Sequence, residues 1–162
     1  MHSIPPIKLT SELKECHPLI PNHEYIDMGF SSIYMSRNRV RDWLQPSFTI
    51  QAGGRHAPIH PQANKMIFVE RDKYIFDLKS PHPYRRLSVR ECARVQTFPD
   101  RFIFKYKKIA DGYKMVGNAV PVNFARVLAE KIKADIQEYQ QLGFCSQIRN
   151  IDLGKELTLL NL

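Results

Sequence analysis

The sequence predicts an α+β chain, a small β-rich N-terminal unit followed by a helical C-terminal unit. Three observations carry that prediction. MIFVE and KYIFD, two β-branched and aromatic runs, flank Arg71-Asp72 as the arms of a hairpin over 65–77. Ser88 followed three residues later by Glu91 is a capping-box signature that opens a helix. Phe124, Leu128 and Ile132, with Ala125, Val127 and Ala129 beside them, form a stripe of helical period. A length of 162 residues accommodates one domain or two small units sharing a core. Pro81 and Pro83 mark the boundary, dividing the chain into 1–84, a helical part over 85–140 and a tail over 141–162.

The lead-in, 1–21, holds Pro5, Pro6, Pro18 and Pro21 and reads as extended, with one short helical stretch at 10–15. IYMSRNRVRDW then places Arg37, Arg39 and Arg41 at period two. In an extended chain these share one face, suited to phosphates or to guanine O6 and N7 in a major groove. A solvated edge strand guarded by charge is an equally good reading of the spacing. PSFTIQA, 46–52, alternates apolar and polar and is expected to be a short strand. Gly53-Gly54 breaks it, and Arg55 follows at the tip of a tight loop. Neither hairpin run alternates strictly, so part of each is expected to be buried on both faces.

In the helical part, 88–96 should be a helix with Val89, Cys92, Ala93 and Gln96 on one face. Arg90 and Arg94 lie four apart on another. Phe98-Pro99 ends it, and Phe102 and Phe104 follow as an apolar anchor. Gly117-Asn118 is expected to be a turn that opens the long helix, with Pro121 at its first position and Tyr139 near its end. Gly143 reads as the stop, and the Leu-rich tail docks or frays.

The net charge of +8 points to a polyanionic partner, nucleic acid first. Charge placement sharpens this, since 31–55 carries Arg37, Arg39, Arg41 and Arg55 against Asp42 as its acid. Cys16, Cys92 and Cys145 are odd in number and widely spaced, which argues against a disulfide framework and fits a reducing compartment. No stretch reaches the roughly 20 apolar residues of a membrane span, and the N-terminus lacks a signal-peptide pattern. A cytoplasmic, nucleoid-associated protein is therefore expected. Cys16, His17 and His23 lack a second pair at zinc spacing, and Pro58 separates His56 from His60, so no metal is expected.

The segment 86–102, Arg86-Leu87-Ser88-x-Arg90-Glu91-x-Ala93-Arg94-x-Gln96-x-Phe98-Pro99-Asp100-x-Phe102, resembles the penultimate block of DNA cytosine-5 methyltransferases. Met115-Val116-Gly117-Asn118-Ala119-Val120-Pro121 resembles the last block, in the right order and near the right spacing. MSRNRVRDW and FTIQAGGRHAPIHPQANKM look like the target-recognition region of the bacterial restriction-modification subgroup that methylates GGCC. The likeness spans about 22–136. It implies a target-recognition domain over 1–84 and a junction helix, Gly-Asn turn and long helix over 85–140 that pack on a Rossmann-like methyltransferase core. It further implies that Arg37, Arg39, Arg41 and Arg55 contact DNA, that Asn118 and Ala119 touch S-adenosylmethionine, and that Arg90, Glu91 and Arg94 give structural support.

The family's catalytic half carries a cofactor glycine loop and a Pro-Cys nucleophile. Here Cys16 and Cys92 follow Glu and Cys145 follows Phe, and MGF, AGGR, DGY and VGN do not make that loop. The chain therefore reads as the C-terminal part of such an enzyme, with no catalytic residue of its own and inactive alone. Double-stranded DNA and a catalytic half are its expected partners, with self-association as a second outcome of an exposed helix stripe. A non-catalytic DNA-binding remnant or regulator is the alternative. An unrelated RNA-binding domain fits worse, for want of clustered aromatics beside glycine-rich strand motifs.

Overall fold

The computed structural model describes residues 20–141. The lead-in helix at 10–15, Cys16, His17, Cys145 and the tail lie outside them. The elements are the hairpin β1 (Ile67–Glu70) and β2 (Lys73–Ile75), then α1 (Val89–Val95), α2 (Ile109–Asn118) and α3 (Val122–Gln141). Two 3-10 turns precede them, at Tyr34–Ser36 and Gly54–His56. The chain divides into two compact units, Met1–Pro121 and Val122–Leu162.

In the first unit, residue 59 lies between two neighbours. Ile59 bridges Val40 in parallel and Arg86 antiparallel. His60 N–H donates to Arg85 O at 2.9 Å and Leu87 N–H to Pro58 O at 2.8 Å. Ile59, Val40, Tyr34 and Met66 form one buried cluster around this crossing. The other cluster joins Ile50, Ala57 and Leu87 to α1 through Val89, Cys92 and Ala93, and to α2 through Tyr113 and Val116.

The hairpin pairs Ile67 with Ile75, Phe68 with Tyr74 and Glu70 with Lys73. Its turn holds Asp72 at φ 57°, a left-handed position that Asp tolerates. The expectation of two-sided burial fails, since every residue of β1 is exposed. Burial passes instead to Met66, just before the strand. Residues 46–52 form no strand. Without a ladder partner the segment is an irregular connector that buries Ile50.

The capping box of α1 is present, with Ser88 Oγ accepting from Glu91 N at 3.1 Å and Ser88 N–H donating to Glu91 Oε2 at 2.8 Å. The helix ends at Val95, before Phe98. Thr97 adopts φ 60°, its N–H donates to Arg94 O, and Phe98 N–H donates to Ala93 O. These are the two bonds of a Schellman closure, made here with threonine where glycine is usual. Position 97 therefore carries backbone strain of order 1 kcal/mol.

The expected Gly117-Asn118 turn is instead the last turn of α2. Gly117 is required there by close approach: a Cβ would lie 2.4 Å from Ala52 N and from Gln51 C and O. Tyr113 Oη donates to Leu87 O at 2.6 Å, and Gln96 Nε2 to Val116 O at 3.3 Å, tying α2 to the segment that contains α1.

The second unit contains the 20-residue α3, about 30 Å of helix. It opens at Val122, one residue after Pro121. Phe124, Leu128, Ile132 and Ile136 recur at helical period, and all are exposed. Arg126–Glu130 and Lys131–Asp135 are i,i+4 ion pairs along its surface.

Arg90 closes the first unit. It is fully buried. Its guanidinium donates to Pro21 O (3.0 Å), Pro99 O (3.4 Å), Asn22 Oδ1 (3.2 Å) and Phe102 O (2.7 Å). Replacing it by methionine strands those acceptors. We expect Arg90→Met to cost about 3 kcal/mol or more in urea unfolding, beyond what lost packing explains.

Candidate nucleic-acid interface

Three guanidiniums from the 85–90 segment are buried, and each is held differently. Arg85 forms a bidentate pair with Glu91 at 2.7 and 2.9 Å. Arg86 donates to Met28 O at 2.6 Å, Gly29 O at 3.0 Å and Arg55 O at 3.2 Å, and lies 4.1 Å from the Phe30 ring centroid. Arg90 holds the carbonyls named above. Burial lowers the pKa of Arg86 and of Arg90, but a guanidinium starts so high that both stay charged. Burial pushes the Glu91 carboxyl up. The Arg85 hydrogen bonds and charge and the Ser88 N–H outweigh that, so its pKa is lowered overall. Arg94 instead pairs with Asp100 at 2.8 Å on the surface.

The four arginines singled out for DNA are not equivalent. Arg37 and Arg55 are exposed. Arg37 directly follows the first 3-10 turn in extended conformation, and Arg55 sits in the second. Arg39 is half-buried, its Nε donating to Tyr34 O at 2.7 Å and its Nη2 to Ile33 O at 3.1 Å. Arg41 is exposed and stacks on Phe48, 4.1 Å from the ring centroid. The arginines of the 37–41 run therefore do not present one uniform face. Tyr34 and Ala57 join the two arginine-bearing segments, the Tyr34 hydroxyl donating to Ala57 O at 2.7 Å. Asn38 also pins the first segment, its Oδ1 accepting from Val40 N and Met66 N.

Asn118, exposed at the end of α2, lines a cavity of about 490 Å³ with Tyr106, Asp111, Met115 and the lysines 105, 107 and 114. Ala119 caps the helix, its N–H donating to Val116 O. The carboxamide offers both a donor and an acceptor, and the lysines suit a carboxylate. Among the described residues, no group of three or more His, Cys, Asp or Glu could hold a metal ion. None of the described helices is long and apolar enough to cross a membrane.

Residues 7–134 match the model of the C-5 cytosine-specific DNA methylases. The chain belongs to that family. It is 72% identical over 118 residues to the type II methyltransferase M.MthTI of Methanothermobacter thermautotrophicus, which covers 73% of this chain and 36% of the relative. It is 51% identical over 124 residues to M.FnuDI of Fusobacterium nucleatum (76% and 36%) and 48% over 118 to M.NgoPII of Neisseria gonorrhoeae (73% and 35%). The chain thus spans about a third of the length of these methylases.

The sequence pointed to Arg90, Glu91 and Arg94 but not to Tyr34, Asn38 or Arg85, and it raised His60 only as a metal ligand to be set aside. The consecutive arginines 85 and 86 just before a capped helix were the available signal. His60 had none, because its burial arises from a long-range crossing. Its Nδ1 accepts from Gln62 N–H at 3.2 Å, and its Nε2 faces Glu91 Oε1 at 3.5 Å. Burial, then the Arg85 charge, lower its pKa to about 4 against an ordinary 6.5.

Between those values the unfolded chain binds more protons at this site than the folded one. The stability contributed by neutral His60 is complete above about 6.5 and lost as pH falls toward about 4. Thermal melts should show the wild type losing stability across that window. His60→Gln should show a shallower loss there, with a lower melting temperature at pH 7.

Proposed function

We propose that this chain is the DNA-reading, C-terminal part of a DNA (cytosine-5-)-methyltransferase that acts on double-stranded GGCC within restriction-modification, and that it is inactive without its catalytic half. The observation that carries the reading is the joining of two arginine-bearing segments. Residues 34–40 and 55–59 are linked by the Tyr34–Ala57 hydrogen bond and the Val40–Ile59 bridge. Arg37 and Arg55 are thereby exposed from a shared frame.

Two exposed guanidiniums on a braced frame suit recognition of guanine edges, where a bidentate fork reads O6 and N7 together. Arg41 and the general positive charge suit phosphates, which position the duplex without reading it. The cytosine ring cannot be reached inside a duplex, so the target base is extruded into a pocket of the catalytic half. There a Pro-Cys thiolate of that half attacks C6. S-adenosylmethionine, when bound, supplies the methyl group. Asn118 and Ala119 are the residues of this chain that would line its site, where the Asn118 carboxamide could donate to and accept from polar groups of the cofactor. The exposed stripe of α3 and the end of α2 are the surfaces that dock on a Rossmann-like core.

Competition binding on GGCC duplexes and single-base variants, across a range of salt, tests this reading. Affinity should fall steeply with salt. Arg55→Ala should lose about 1–3 kcal/mol of discrimination at one base pair and leave the others unchanged. An equal loss on every sequence would make Arg55 a phosphate contact and remove the claim of sequence reading.

A further inference from the structure

We infer that Tyr34 and Arg86, both buried, are positioning residues that set sequence discrimination by fixing the Arg55 turn against the Arg37 segment. This rests on the reading of Arg37 and Arg55 as DNA contacts. Tyr34 and Arg86 are each only 2% exposed, so neither can touch a nucleic acid. Their bonds nevertheless bracket the turn that carries Arg55. Arg86 Nε holds the carbonyl of Arg55 itself, at 3.2 Å, and the Tyr34 hydroxyl holds the carbonyl of Ala57, at 2.7 Å.

Tyr34 itself belongs to the other recognition segment, where its backbone carbonyl accepts from Arg39 and its ring lies near both arginines. Arg39 donates to Tyr34 O, and its guanidinium lies 4.7 Å from the Tyr34 ring centroid. Arg86 lies 5.6 Å from that ring on its own account and 4.1 Å from Phe30. Arg39–Tyr34–Arg86 is thus a cation–ring–cation set whose hydrogen bonds end on the backbones of both segments. Such a node transmits position. If the Arg55 turn shifts by even half an ångström, a bidentate fork loses its second bond while a phosphate contact survives.

Burial also pushes the Tyr34 phenol up to about 12, so the hydroxyl stays protonated and donating throughout the physiological range. Gly54 adds a steric stop. A Cβ there would meet Ile26 Cδ1 at 2.3 Å and the Tyr113 ring at 2.7 Å, so the turn is seated hard against the core. Arg55 is consequently presented by a backbone with contacts on several sides.

The test compares Tyr34→Phe, Arg86→Lys and Arg55→Ala in the full chain, measuring the ratio of cognate to single-mismatch duplex affinity, the salt slope and the melting temperature. Tyr34→Phe keeps the ring beneath both guanidiniums and removes one hydroxyl, so it remains informative if Arg86→Lys fails to fold. The ratio should fall about fivefold in Tyr34→Phe, the worth of one hydrogen bond, with the salt slope unchanged because no phosphate contact is lost. A lower melting temperature with an intact ratio in Tyr34→Phe, while Arg55→Ala loses its ratio, would overturn this inference and leave the DNA-reading role standing. A wild-type chain with no cognate preference would overturn both.

Discussion

Burying three guanidiniums from one six-residue stretch is the constraint on which the first unit depends. A buried arginine costs several kcal/mol unless its donors are met. Arg85, Arg86 and Arg90 meet theirs with partners drawn from across the chain: Glu91, the carbonyls of Met28, Gly29 and Arg55, and those of Pro21, Pro99 and Phe102. Arg86 and Arg90 therefore fix distant segments that lie outside the α-helices and strands, while Arg85 ties the residues before α1 to Glu91 within it. With a single two-stranded ribbon as its sheet, the described part of this unit has little ladder to hold its long connections. The arginines take over that role.

This way of holding a fold has a functional consequence. Loops that read a ligand are usually mobile, and mobility blurs a hydrogen-bond code. Here the loop backbone is bonded to rigid, charged side chains anchored beside a capped helix. The carbonyl of Arg55 is a partner of Arg86, so the residue proposed to read a base and the residue that braces the core meet at one peptide. The second unit has a different physics. The α3 stripe of Phe124, Leu128, Ile132 and Ile136 is exposed along its length. In proteins most helical stability comes from packing of such an amphipathic face, and here that face is open.

What the sequence made legible was local chemistry. The capping box of α1, the hairpin around Arg71-Asp72 and the period of α3 all depend on neighbours within eight residues, and all are present. Readings that depend on distant partners went astray. Residues 46–52 alternate like a strand but have no ladder partner. The Gly117-Asn118 pair looks like a turn, yet glycine is needed because Gln51 and Ala52 press against the helix. Period two suggested one face for Arg37, Arg39 and Arg41, but Tyr34 captures Arg39. For the candidate site, residue types were legible and their division of labour was not. A buried brace and an exposed reader are both arginine in the sequence.

The proposed division of labour, DNA reading in this chain and methyl transfer in a catalytic half, is tested by reconstitution. The chain is mixed with a catalytic half bearing the Pro-Cys nucleophile and the cofactor glycine loop, and transfer of a labelled methyl group from S-adenosylmethionine to GGCC duplex is counted. Transfer by the mixture, with none by either half alone, is the expected result. Methyl transfer by this chain unaided, or none by the mixture although the two halves associate, would contradict it.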